Sequence, residues 1–182
     1  MGSEDTRSKL VTAGVELIEE TGTVDIGLRA IARRAGVSHG APRRWFPTHR
    51  SLLAAIAEVG LRQLAAELAT AADQSGNDLV AIAIAYVDFA RRWPAMFALI
   101  FRHDLLEGSG TELRKVSQPL FWWLSQVVAQ STDVNDPATV AAAIWSSIHG
   151  VAALSSTDAL GLAAQGVNED DLLRRVVRAH LS

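Results

Sequence analysis

Residues 28–46 read LRAIARRAGVSHGAPRRWF, and the rest of the chain is best read outward from them. Leu28, Ile31, Ala32 and Ala35 recur at helical spacing, so one apolar face can pack while Arg29, Arg33 and Arg34 point outward. Gly36 breaks that helix where a left-handed residue is wanted, and Ser38 is placed to cap whatever follows. Ala32 is small enough for two helices to approach closely, with Val37 and Trp45 available to plug the corner between them. A short helix, a tight turn and a second short helix rich in arginine form the pattern of a helix-turn-helix, whose second helix enters a DNA major groove.

Charge supports that reading. From Ile26 to Ala57 the chain has six arginines, two histidines and no Asp or Glu. Residues 1–50 carry 8 basic and 6 acidic groups and residues 51–182 carry 9 and 14, so a net charge of −3 hides a basic patch on an acidic protein. Such a patch points to a localised polyanion contact; the plainer alternative is a solvated arginine face.

Composition removes several classes. With 182 residues, 49% of them hydrophobic, the chain can bury a sizeable core, and 5 prolines with 13 glycines favour long regular elements. The absence of cysteine excludes a disulfide framework, a thiolate metal site and a cysteine nucleophile. The N-terminal MGSEDTRSKL has no apolar signal core, and the longest apolar run, Leu79–Val87, is too short for a bilayer, so a soluble cytoplasmic protein is expected. No metal-spaced His/Glu pair and no nucleophile beside a base appear, so neither an enzyme nor a cofactor is expected.

The remaining elements read as helices, about nine in an all-α fold. The first runs from about Glu4 to Glu20 and stops at Thr21-Gly22. A helix over about 49–72 follows the Phe46-Pro47 break, with Thr48 as its N-cap. Asp73–Asp78 is a loop. Helices are then expected over about 79–93, 94–105 and 111–130, the last kinked or split by Pro119. Asp136-Pro137 opens a helix to about 155, and Asn168 caps the last one, with acids in its first turn. Residues 1–48 make a three-helix head, the helix over 49–72 links it onward, and residues 73–182 form a separate helical body.

With the head laid out, IARRAGVSHGAPRRWFPTHRSLLAAI and its flanks, from about Leu10 to Leu64, resemble the DNA-binding domain of the TetR/AcrR family of bacterial transcriptional regulators. Two positions depart from that family: Arg43 stands where Tyr is usual, and His49 where Lys is common. The resemblance implies that Arg29, Ser38, Arg44, Trp45, His49 and Arg50 hold phosphates, and that His39, Gly40 and Arg43 face the groove. There Arg43 can hold phosphate or read guanine. Trp145-x-x-x-His149-Gly150 is similar to the Trp-His-Gly signature of one C-terminal subgroup; a hydrogen-bonded core histidine is the plainer reading.

The resemblance also implies a ligand-responsive homodimeric repressor that binds double-stranded DNA at a palindromic operator. A small apolar or aromatic effector would sit among Trp93, Met96, Phe97, Phe101, Trp122, Trp123, Trp145 and His149, with His103 and Asp104 as polar handles. The eighth and ninth helices would dimerise through Ala138, Ala141, Ala142, Ala152, Leu172, Leu173, Val176 and Val177. Against this stand an all-α carrier or enzyme with an incidental basic head, and a nonspecific DNA binder.

Overall fold

The turn at Gly36 forms as its sequence demands. In the computed structural model Gly36 takes φ +66, and the amides of Gly36 and Val37 close onto the carbonyls of Arg33 and Ala32 at 3.2 and 3.0 Å. That pairing satisfies carbonyls a helix end otherwise leaves open. The backbone is described for residues 3–109 and 113–181, with the side chains of all these except Ser3, Glu4 and His103.

Among the described residues all regular structure is helical. The elements are α1 (Ser3–Thr21), α2 (Leu28–Arg34), α3 (Ala41–Trp45), α4 (His49–Ser75), α5 (Leu79–Arg92) and α6 (Pro94–Ile100). They continue with α7 (His103–Leu106), α8 (Arg114–Ser131), α9 (Pro137–Ser155), α10 (Ala159–Ala163) and α11 (Glu169–Leu181). The expected helix over 94–105 is thus two, α6 and α7. Arg102 donates from Nε and Nη2 to the Asp104 carboxylate at 2.7 Å, a pairing across two residues that a continuous helix does not allow. α10 occupies the loop that had no assignment, entered through Asp158 at φ +57. α8 runs unbroken past Pro119; the expected start of that helix at Thr111 lies outside the described residues.

The predicted caps are in place. Thr48 and Ser51 cap α4 reciprocally: Ser51 N–H donates to Thr48 Oγ1 at 3.0 Å and Thr48 N–H to Ser51 Oγ at 3.2 Å. Asp136 and Asn168 accept from Thr139 and Asp171 at the starts of α9 and α11; Asp78, read from the sequence only as loop, accepts from Val80 at the start of α5. Ser38 departs from expectation, because α3 begins only at Ala41, is preceded by Gly40, and takes no side-chain cap. Ser38 contributes its carbonyl instead, accepting from Ala41 N–H at 3.0 Å.

By contacts the chain forms two compact units, 1–61 with 95–113, and 62–94 with 114–182. Residues 95–113 therefore group with the head rather than with their sequence neighbours. In the first unit α1, α2 and α3 pack on one another, and Leu10, Ile18, Ile31, Leu52, Ile56 and Leu99 are fully enclosed. In the second unit α9 is central, contacted by α5, α8, α10 and α11. By length and composition α9 could cross a bilayer; here Ile144 and Ala152 on it are fully buried by its neighbours. α11 is fastened by Ser147 to His180 at 3.0 Å, and by Glu169, which meets both Ser155 and Arg91.

Candidate nucleic-acid interface and effector site

The head fixes α3 by its apolar side. Pro42 and Phe46 are buried, Trp45 is half-buried, and Arg43 and Arg44 are left exposed. The Phe46 ring is also covered by the Arg7 guanidinium, 5.4 Å from its centroid. Pro42 costs the helix nothing, since in the first turn its missing N–H has no intrahelical partner to lose.

The arginines of the head divide into held and open ones. Arg34 is exposed but engaged by Glu16 and Glu20, and that hydrogen bond to Glu20 raises its pKa further. Arg50 donates to the Glu107 carbonyl at 3.3 Å. Arg29, Arg33, Arg43 and Arg44 are exposed and have no hydrogen-bond or ion-pair partner among the described residues. Ser38, His39 and Gly40 are exposed beside them. Gly40 has φ −84, which any residue can adopt, and a Cβ there would meet nothing within 4 Å. His49 is different: its ring is half-buried, with Nε2 donating to the Ile26 carbonyl at 2.7 Å. It braces the start of α4 and keeps only Nδ1 for another partner.

The residues assigned to an effector fall into both units. In the first, Met96 and Phe97 are buried, and Phe97 meets Phe101 edge-on at 5.0 Å. Met96 lies where a Cβ on Gly60 would be, 2.4 Å from its Sδ, so Gly60 allows α6 to press against α4. His103 lies outside the described side chains, and Asp104 is taken up by Arg102, whose hydrogen bond holds its carboxyl below the usual range.

In the second unit the structure brings Trp145 and His149 together with Tyr86. Indole N–H only donates, so Trp145 Nε1 gives its proton to Tyr86 Oη at 3.3 Å. Tyr86 then donates to His149 Nδ1 at 2.9 Å, which leaves that imidazole neutral with its proton on Nε2. Burial pushes the Tyr86 hydroxyl far up, opposed by the Trp145 bond, and burial pulls the His149 ring down. The row continues through Phe121, 6.4 Å from Trp145 and 6.2 Å from Trp122. Trp122 is 60% exposed and Trp123 half-buried. Tyr86 was missed as a site residue, although it is the chain's single tyrosine in an otherwise nearly apolar helix.

The faces assigned to dimerisation need correction. Ala141, Ala152, Leu173 and Val177 are buried within the second unit itself, where α9, α11 and α5 pack. The outward face of α9 instead carries Ser146, Gly150, Ala153 and Leu154, with nothing near Gly150. Leu162 and Val167, exposed by 76% and 54%, follow it in the chain.

Three comparisons bear on this arrangement. Residues 79–180 match the family model of the tetracyclin repressor-like C-terminal domain. No curated protein matches. Among solved structures, a protein of unknown function from Rhodococcus sp. RHA1 is similar with TM-score 0.79 and 24% identity, over 97% of this chain and 93% of that one. A TetR-like transcriptional regulator from Rhodococcus sp. RHA1 has TM-score 0.70 and 18% identity, over 97% and 95%. RolR, solved in complex with the ligand resorcinol, has TM-score 0.65 and 18% identity, over 98% and 87%.

Proposed function

Because the chain belongs to the TetR family of DNA-binding transcriptional regulators, we propose that it is a homodimeric repressor that leaves a palindromic operator when a small apolar or aromatic effector binds. The observation that carries the reading is the set of four arginines without a partner among the described residues, around an exposed Ser38–Gly40 turn. In a window without a carboxylate they are free to meet phosphate and base edges. Arg43 and His39 face the groove, and Gly40 allows close approach of backbone to DNA. Arg29, Ser38, Arg44 and Trp45 hold phosphates. His49 and Arg50, already engaged within the head, contribute less.

Dimerisation places two recognition helices about 34 Å apart on successive major grooves. The small residues Ser146, Gly150 and Ala153 suit close packing of α9 on its copy, with Leu154, Leu162 and Val167 as the apolar rim. The effector binds the aromatic side chains of α5, α8 and α9. α4 has residues in both units and acts as the lever. An effector that binds the splayed dimer better shifts the population away from DNA.

Selection from random duplexes with the full-length protein tests this reading. Enrichment of an inverted repeat, bound two chains per duplex, is the expected result. Uniform recovery of unrelated sequences identifies a nonspecific binder, and no recovery removes the DNA role altogether.

A further inference from the structure

Trp93 holds an indole N–H that is shielded from solvent and has no acceptor among the described residues. Buried donors are nearly always satisfied, and an orphan calls for a partner that the chain itself does not supply. The backbone there is in order: Trp93 closes α5, and its main-chain N–H donates to the Phe89 carbonyl at 2.9 Å. An apolar ring system of the same size would give the same contact without the unmet donor.

The surroundings limit what the partner can be. The two residues before Trp93 are cations that are already matched, Arg91 by Glu169 at 2.9 Å and Arg92 by Glu67. A carboxylate ligand would lack an open charge in that stretch. Two turns earlier, on the same stripe of α5, Tyr86 is satisfied by Trp145 and His149, which takes up Nδ1 of His149 internally. The indole of Trp93 is what stays unmatched.

We infer that Trp93 Nε1–H is the hydrogen-bond donor to the effector, and that the effector is an uncharged aromatic molecule with an acceptor such as a carbonyl or ether oxygen. This inference rests on the effector-binding reading above and names its ligand class.

Acetophenone and ethylbenzene serve as probes of nearly equal shape, differing in the carbonyl. Calorimetric titration of the full-length protein should show acetophenone binding about tenfold tighter, the effect of one net hydrogen bond. Trp93→Phe should bind the two alike. Benzothienylalanine at position 93 keeps the bicycle, removes the N–H and should also abolish the preference, which covers the case in which Trp93→Phe folds poorly. Equal binding of both probes by the wild type, binding of neither, a preference retained in the variants, or tighter binding of benzoate each overturns the inference. If the preference is present and depends on Trp93 while operator DNA is not released, the donor role stands and the ligand-switched reading fails.

Discussion

The recognition region of the head and the interior of the body treat their polar groups in opposite ways. In the head, Arg29, Arg33, Arg43 and Arg44 stand exposed with no partner among the described residues. In the body, Arg91 and Arg92 each meet a carboxylate, and Tyr86, Trp145 and His149 close a hydrogen-bond chain. Unsatisfied charge is cheap at a wet surface and useful only when another molecule completes it. A satisfied network rigidifies its helices and spends its donors internally. The recognition helix and its neighbours are thus left to be completed from outside, while the interior built on α5 and α9 spends its polar groups on itself, with the Trp93 indole its buried exception among the described residues.

The largest test of that contrast lies within the head. Arg43→Ala or Arg44→Ala should cost about 1–3 kcal/mol per DNA contact, or about 2–6 kcal/mol for a dimer that makes it twice. Arg29→Ala should also flatten the dependence of affinity on salt by about one unit of slope per phosphate lost. Arg34→Ala should leave operator affinity near that of the wild type, because Glu16 and Glu20 already occupy its guanidinium. Fluorescence anisotropy over a range of salt concentrations measures all four. A loss at Arg34 equal to that at Arg43 would break the division into held and open arginines.

Glycines sharpen the same contrast at the level of packing. A Cβ at Gly14 would fall 2.3 Å from Cδ1 and 2.9 Å from Cγ1 of the fully buried Ile56, so the Ile56 side chain would have to shift within the core. Gly14→Ala should therefore destabilise the protein by about 1–3 kcal/mol in urea denaturation. Gly40 has open space and an ordinary backbone, so Gly40→Ala should unfold like the wild type and lose operator affinity alone. Equal stability loss at both would place Gly40 in the fold rather than at the interface.

What the sequence made legible was whatever writes a local signature. Gly36, Thr48, Asp136 and Asn168 each satisfy helix-end groups within a few residues of themselves, so their roles follow from order alone. The break between α6 and α7 carries no glycine or proline; it comes with the Arg102–Asp104 pair, visible only once the chain turns. The candidate site divides in the same way. The exposure of Arg43 and Arg44 was legible because a basic helix face needs no tertiary partner to be recognised. The aromatic residues were not, since core, network and binding surface share one composition. Met96 packs over Gly60, and Ala141, Ala152, Leu173 and Val177 are core. Tyr86 gains its place from residues about sixty positions away.

Tyr86→Phe probes the closed side of the comparison. It removes the hydroxyl that accepts from Trp145 and donates to His149. Trp145 is 38% exposed, so water can replace part of what it loses, and the cost should be about 1 kcal/mol of stability with DNA affinity unchanged. A drop in operator affinity without a drop in stability would mean that the network serves the head directly.

The smallest effect is a pH dependence that belongs to the body. Burial lowers the His149 pKa from its ordinary value of 6.5, so the unfolded chain takes up a proton on this ring before the folded one does. Between those two values the unfolded state binds more protons, and stability must fall as pH falls. The stabilising state is the neutral ring that accepts from Tyr86 at Nδ1, and it is fully present above 6.5. Melting measured between pH 7.5 and 5.5 stays above the ordinary range of carboxylates. The wild type should lose stability over that interval by more than His149→Gln does, since the amide does not titrate. Identical profiles for the two proteins would show that the ring titrates as freely folded as unfolded. The Trp145–Tyr86–His149 chain would then be open to water, and the body would no longer differ from the head in how it holds its polar groups.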